Sequence, residues 1–195
     1  MTKWIGKVLL GALLGLSTLA GPVFAGPGTG FNREGGFLGA NATLFVPAFQ
    51  GPARSLDFGN SAGFGLRGGY RYDEIFATEA LYEFATDFDA DQNGASARYR
   101  AQTFTVSGRL IAPFETVQPW ISGGIGFVHG NLDVRGLARQ ADFSSTKFAG
   151  RVAAGLDLPL TDDVGLFVET ALTLPTDQLG DFYTFALGLG VKMIF

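Results

Sequence analysis

Three groups of residues in this chain have types and spacings that could do chemistry. Gly63-Phe64-Gly65-Leu66-Arg67-Gly68 fits a dinucleotide-binding fingerprint letter for letter. That fingerprint needs a strand before it and a helix after it, so that the pyrophosphate can rest on the helix N-terminus. Here the segment lies inside an alternating apolar and polar run, so it reads as the middle of a strand. Asp87, Asp89 and Asp91, followed by Gly94, are spaced like a calcium loop. The glycine comes two positions late, and Arg98 stands where a bidentate Glu belongs. A solvated acidic loop is expected, with weak Ca²⁺ binding or lipopolysaccharide-bridged cation binding as the sharper alternative. His129 is the only histidine, with Asp133 and the pair Ser144-Ser145 as loop neighbours. A hydrolase triad or a histidine-based metal cluster needs a nucleophile or further ligands held against that ring. No such constellation is visible, so neither an enzyme nor a cofactor or metal is expected.

A fourth group is electrostatic. Arg67, Arg71, Arg109, Arg151 and Lys192 occupy polar positions of alternating segments, and so do Glu79, Glu83, Asp157 and Glu169. Charges so few and so mixed in sign suit pairing inside a closed interior.

The elements that position these residues are strands. The alternation is plainest at the C-terminus, where Tyr183, Phe185, Leu187, Leu189, Val191, Met193 and Phe195 share one face. Thr184, Ala186, Gly188, Gly190, Lys192 and Ile194 share the other, the period of two that a strand produces and a helix does not. The same division recurs around 37–46, 63–72, 76–84, 102–112, 120–128, 148–158 and 165–174, making eight strands. Connections 73–75, 113–118 and 159–163 are short. Connections 47–60, 85–98 and 129–147 read as long loops, and 175–181 is intermediate. Short turns at one end and long loops at the other describe an antiparallel up-and-down β-barrel.

The N-terminus is read separately. Lys3 and Lys7 precede the apolar run Val8–Ala20, and Val23-Phe24-Ala25 offers a signal-peptidase site. That run is too short to span a bilayer as a helix. Residues 1–25 are therefore expected to be a cleaved signal peptide, 26–34 a lead-in that starts as flexible Gly26–Gly30, and 35–195 the barrel domain. Cleavage would remove two lysines and take the net charge from −4 to −6. An acidic chain without basic clusters excludes nucleic acid as partner. There is no cysteine, so hydrogen bonding and packing alone must hold the fold.

Which face meets solvent is decided by three features. Charged residues are 16% of the chain, against roughly 25% in soluble domains, so the outside as well as the inside must be apolar. The polar faces are rich in glycine, which suits a crowded lumen better than a watered surface. Phe37, Tyr72, Phe76, Trp120, Tyr183 and Phe195 fall near strand ends, where interfacial aromatic girdles sit. A bilayer offers no hydrogen-bond partner to backbone groups, and a closed barrel pairs them all internally. The fold expected is an eight-stranded transmembrane β-barrel.

Gly63-Phe64-Gly65-Leu66-Arg67-Gly68-Gly69-Tyr70-Arg71-Tyr72 resembles the second strand of small outer-membrane β-barrel proteins of the OmpA/OmpX/OmpW type. Pro119-Trp120-Ile121-Ser122-Gly123-Gly124-Ile125-Gly126-Phe127 resembles their fifth strand. Gly190, Met193 and Phe195 are similar to the C-terminal assembly signal of that family, with Met193 where an aromatic is common. The resemblance implies a bacterial outer-membrane location. Its implied contacts are with outer-membrane lipid, lipopolysaccharide and the barrel assembly machinery, as a monomer and without a cofactor. Some such barrels hydrolyse lipid A with a His–Ser pair on adjacent strands, a motif this chain lacks. Three functions are expected in this order: a structural or surface-interaction protein with a charge-plugged lumen, a narrow channel for small or hydrophobic solutes, and a lipid-modifying enzyme.

A register follows for the charges. A turn centred near Ile75 sets Arg71 opposite Glu79, Arg67 opposite Glu83, and Gly68 beside Tyr82 on the lipid face. A one-residue slip would turn all four charges to lipid, whereas a two-residue slip keeps them inside.

Overall fold

The computed structural model describes residues 30–195, except 50–58, 93–94, 115, 136–139 and 177–181. Within the strands, the side chains of 47–49, 87–92, 95–99, 132–135, 140–143 and 182 are not among those described. A 3₁₀ turn, Gly30–Asn32, precedes eight strands: β1 Gly35–Phe49, β2 Ser61–Arg71, β3 Phe76–Gln92, β4 Ala95–Ile111, β5 Gln118–Arg135, β6 Gln140–Pro159, β7 Val164–Pro175 and β8 Phe182–Ile194. Every strand pairs antiparallel with its sequence neighbours, and β8 pairs back onto β1 to close the barrel.

The closure carries a definite stagger. Stepping between paired residues from Phe37 through Gly69, Glu79, Ser107, Gly124, Arg151, Thr173 and Thr184 returns to β1 at Pro47, ten residues further along. Strands in such a barrel tilt, so residues at one height are not register partners.

Alternation then sorts the faces. Leu66, Val106, Leu110, Ile121, Ile125, Phe127 and Val152 are half or more exposed on the outside, the apolar band a bilayer needs. The nine charged residues of the polar faces and many of the glycines, among them Gly65, Gly69, Gly155 and Gly190, point inward. Two of the expected loops, 85–98 and 129–147, are largely strand, because β3 runs to Gln92, β4 starts at Ala95, β5 runs to Arg135 and β6 starts at Gln140. A bilayer needs only about 9–11 residues per strand. Beyond it both faces of a hairpin meet water, so pairing continues while the apolar alternation that marks a strand in the sequence disappears.

The β2–β3 register also differs from expectation. Arg71 pairs with Ala77, Gly69 with Glu79, Arg67 with Leu81 and Gly65 with Glu83, while Gly68 lies opposite Ala80 and Leu66 opposite Tyr82. This is the two-residue slip. Its cause is Asp73, whose Oδ1 accepts the amides of Ile75 (2.8 Å) and Phe76 (2.7 Å) and so centres the turn on Glu74. Tyr72 and Phe76, exposed on either side of that turn, stack at 5.8 Å.

Candidate functional site

The lumen gathers the charged residues of all the polar faces. Nine side chains expected there, Arg67, Arg71, Glu79, Glu83, Arg109, Arg151, Asp157, Glu169 and Lys192, are all buried. They do not pair as a ladder between β2 and β3. Because of the stagger, each meets residues at its own height, many of them across the bore.

At the middle of the barrel Arg67 reaches from β2 to Glu169 on β7 (2.8 Å) and to Glu79 on β3 (3.3 Å), and donates to Asn41 Oδ1 (3.3 Å). Its guanidinium lies 4.1 Å from the centre of the Phe167 ring. Arg151 joins Glu169 (3.0 Å) to Glu83 (3.5 Å) one layer further from the turn end. Nearer the turns, Arg109 contacts Glu79 (3.5 Å) and donates to both oxygens of Asp157 (2.6 Å each). Asp157 also accepts from Lys192 Nζ and from Trp120 Nε1 (3.0 Å). Arg109 stacks 3.8 Å above the Trp120 ring. A buried charge left alone is costly, and these are linked and hydrogen-bonded together.

Arg71 is placed differently. Its guanidinium donates to the carbonyls of Phe31 (3.1 Å), Asp73 (3.0 Å) and Glu74 (2.5 Å), to Gln118 Oε1 (3.1 Å) and to Asn32 Oδ1 (3.5 Å). The expected Arg71–Glu79 and Arg67–Glu83 contacts are replaced by Arg71 at the mouth and Arg67 on Glu79, as the register of the Asp73 turn requires.

Several lumen residues were not expected there. Phe37 and Trp120, assigned to the aromatic girdle, are buried in the bore at 3% exposure each. Phe167, Phe31, Arg33 and Gln118 were not singled out at all. The signal for two of them was parity: Phe37 shares a face with Gly39 and Asn41, and Trp120 with Ser122 and Gly124. Inward glycines make their room. A Cβ at Gly155 would come within 2.5 Å of Trp120 Cζ2, one at Gly190 within 2.7 Å of Phe167 Cε1, and one at Gly69 within 2.8 Å of Phe37 Cε1.

The lead-in from Gly30 to Glu34 packs against the turn end of the barrel, while Gly26–Thr29, the rest of the stretch expected to be flexible, lie outside the described residues. Phe31 is 5% exposed, its ring 4.8 Å from Lys192 Nζ. Arg33 bonds Asp163 Oδ1 (2.5 Å), the Asp162 carbonyl (3.1 Å) and the Ile194 carbonyl (2.9 Å). At the same corner Phe195 N donates to the Gly36 carbonyl (2.9 Å), and Gly190 faces the lumen while Met193 lies on the outer face.

The remaining candidates do not assemble. Gly63–Gly68 lies wholly within β2. The side chains of Asp87, Asp89, Asp91, Arg98 and Asp133, and all of Gly94, lie outside the described residues. Among the described residues no group of three or more His, Cys, Asp or Glu could hold a metal. His129 lies between Gln102 on β4 and Thr146 on β6, and the Thr146 Oγ1 is 2.8 Å from its Nδ1; Ser144 and Ser145 sit opposite Asn131 and Gly130.

No curated protein matches the chain. Among solved structures it is similar to Neisserial surface protein A, at a TM-score of 0.63 and 16% identity, covering 82% of this chain and 97% of that one. Ail, the attachment invasion locus protein of Yersinia pestis, gives 0.62 and 15%, covering 84% and 100%. The outer membrane protein OprG of Pseudomonas aeruginosa gives 0.52 and 13%, covering 84% and 98%. These likenesses show the fold. Residues 9–195 match the model of the outer membrane protein beta-barrel domain family, and the chain belongs to that family.

Proposed function

We propose that this is a non-enzymatic protein of the bacterial outer membrane whose barrel is an anchor plugged by charge, and whose function is structural or surface-interactive. The observation that carries the reading is the set of ion pairs spanning the bore, Arg67–Glu169 at 2.8 Å and Arg109–Asp157 at 2.6 Å. An eight-stranded barrel has an interior just wide enough for side chains to fill. On this reading, bridges across that width interrupt the aqueous path. The outer apolar band meets lipid and lipopolysaccharide, the chain acts as a monomer, and Gly190, Met193 and Phe195 present the last strand to the barrel assembly machinery. Export is by a signal peptide ending at Ala25.

The work of such an anchor falls to the long β3–β4 and β5–β6 hairpins. The names of two similar structures, a surface protein and an attachment protein, support a surface role. Ail has also been solved with the heparin analogue sucrose octasulfate. The acidic Asp87, Asp89 and Asp91 favour a basic or cation-bridged partner for this chain instead.

A second reading, a narrow channel for apolar solutes, draws on the inward residues beyond the Arg151–Glu83 layer. Phe45, Ala85, Val128 and Ala149 are apolar and mostly small. Planar-bilayer recording separates the two. The purified protein is expected to give no discrete conductance steps, and reproducible single-channel openings would overturn the plugged-lumen reading.

A further inference from the structure

On the outer wall at the turn end, three rings are held as one group. Tyr70, Tyr72 and Phe76 are 46%, 49% and 37% exposed. Tyr70 and Tyr72 lie 5.1 Å apart at 59°, and Tyr72 and Phe76 5.8 Å apart at 23°. Tyr72 Oη is hydrogen-bonded to Thr78 Oγ1 at 3.2 Å. The turn that joins the rings is fixed from beneath. Asp73 Oδ1 accepts the Ile75 and Phe76 amides, and Arg71 donates to the Asp73 and Glu74 carbonyls.

The charge exposed at this end has one sign. Glu34, Asp73, Glu74, Asp162 and Asp163 are exposed. The cations described there, Arg33, Arg71, Arg109 and Lys192, are all buried. A lipid headgroup that meets this rim must therefore bring its positive charge with it. Ring faces attract an ammonium, and the two Asp73-Glu74 carboxylates between Tyr72 and Phe76 add to that attraction. Tyr hydroxyls can donate to the phosphate such a headgroup carries. One step toward the middle of the bilayer the wall is low. Thr78 pairs with Gly108, and Gly108 with Gly123, on the outward face. A Cβ at 123 would meet nothing within 4 Å, and one at 108 only the edge of the Phe76 ring at 3.6 Å. Leu110 and Ile121 on one side, Val106 and Ile125 on the other, are at least half exposed and border this recess.

We propose that this patch binds one phospholipid with an ammonium headgroup. The ammonium lies against Glu74 and the faces of Tyr70, Tyr72 and Phe76, and an acyl chain runs over Gly108 and Gly123. The rings and the recess together select one lipid, where a plain interfacial girdle would take any. The site needs only a bilayer around the barrel, so it stands or falls separately from the plugged bore.

Native mass spectrometry of the purified protein, released from detergent micelles, reads the binding of a first lipid. Phosphatidylethanolamine, its N-acetyl derivative and phosphatidylglycerol are titrated, all with the same acyl chains; only the first carries an ammonium. It is expected to bind about two- to fivefold more tightly than the other two, the advantage of one exposed cation–π contact. Glu74→Gln combined with Tyr72→Leu should bring the three lipids to parity. The turn is held by Asp73 and by backbone carbonyls, so this variant is expected to fold, and heat-modifiable gel migration checks it. If it does not fold, Glu74→Gln alone is read, with a reduced preference expected. Gly123→Leu fills the recess and should weaken all three lipids alike while keeping their order. Equal affinities in the unmodified protein would overturn the proposal. So would a preference that survives undiminished in the folded Glu74 and Tyr72 variants, or binding that Gly123→Leu leaves unchanged.

Discussion

Arg67→Met and Glu169→Gln, made singly and together, form the sharpest test of how the bore is held. In the native barrel the two groups are 2.8 Å apart with side chains 0% and 1% exposed. Arg67→Met removes the contacts to Glu169, Glu79 and Asn41 and the stack on Phe167. Glu169→Gln leaves Arg67 and Arg151 sharing a neutral amide. Removing one partner of a buried pair costs about 3–5 kcal/mol, because the other charge stays buried. The double change removes both charges, so its cost falls short of the sum. A coupling energy of about 2 kcal/mol is expected, within the 0.5–3 kcal/mol range of contacting residues. Urea unfolding in detergent micelles or lipid vesicles, followed by tryptophan fluorescence, measures all four corners of the cycle. Arg71→Met with Glu79→Gln is the control, because Arg71 bonds the mouth and not Glu79. That second cycle is expected to be additive within about 0.5 kcal/mol. Additivity at Arg67/Glu169 would mean that the two groups do not touch across the bore, and strong coupling at Arg71/Glu79 would mean that the register set by the Asp73 turn is wrong.

Three further outcomes are expected. Gly155→Ala, whose Cβ would crowd Trp120 at 2.5 Å, should destabilise by about 1–3 kcal/mol, the cost of overpacking. Gly123→Ala and Gly150→Ala, with nothing within 4 Å, should be neutral or gain about 0.4–1 kcal/mol by stiffening the unfolded chain; the same urea titration reads all three. Deleting Phe195 should lower the folded fraction in cells without lowering synthesis, because it removes the amide that bonds the Gly36 carbonyl and the ring beside Gly36; heat-modifiable migration against total protein checks this. The exported protein should begin at Gly26, and an intact mass that retains residues 1–25 would contradict the reading of the leader.

The sequence displayed the fold clearly where one face of a strand meets lipid. There the alternation in segments such as Phe182–Ile194 cannot be satisfied any other way. It hid the fold where both faces meet water, which is why the outer parts of β3 to β6 read as loops. The lumen was legible as a set of residues and illegible as a set of contacts. Parity puts Arg67, Glu79 and Glu169 inside. Which of them touch depends on a stagger of ten residues around the whole barrel, and no local window contains it. The aromatic residues misled for a related reason. Strand-end position suggested a girdle for Phe37 and Trp120, while their parity with glycines placed them in the bore. Arg33 and Phe31 gave no signal, because an inserted segment has neither alternation nor helical period.

The sockets that inward glycines form for aromatic side chains also govern how such a barrel can diverge. The volume around Gly155 is owned jointly by two positions on neighbouring strands. A larger residue at 155 would meet the Val168 carbonyl as well as the Trp120 ring; one at 190 the Ala40 carbonyl as well as Phe167; one at 69 the Thr78 carbonyl as well as Phe37. Change inside the bore therefore needs a smaller aromatic partner together with a shift of the strand on the other side. On the outer face any apolar side chain serves, and positions there drift independently. Two barrels of this kind can keep one fold with few identical residues, provided large and small exchange places across the strand–strand seams and the strands there shift to suit.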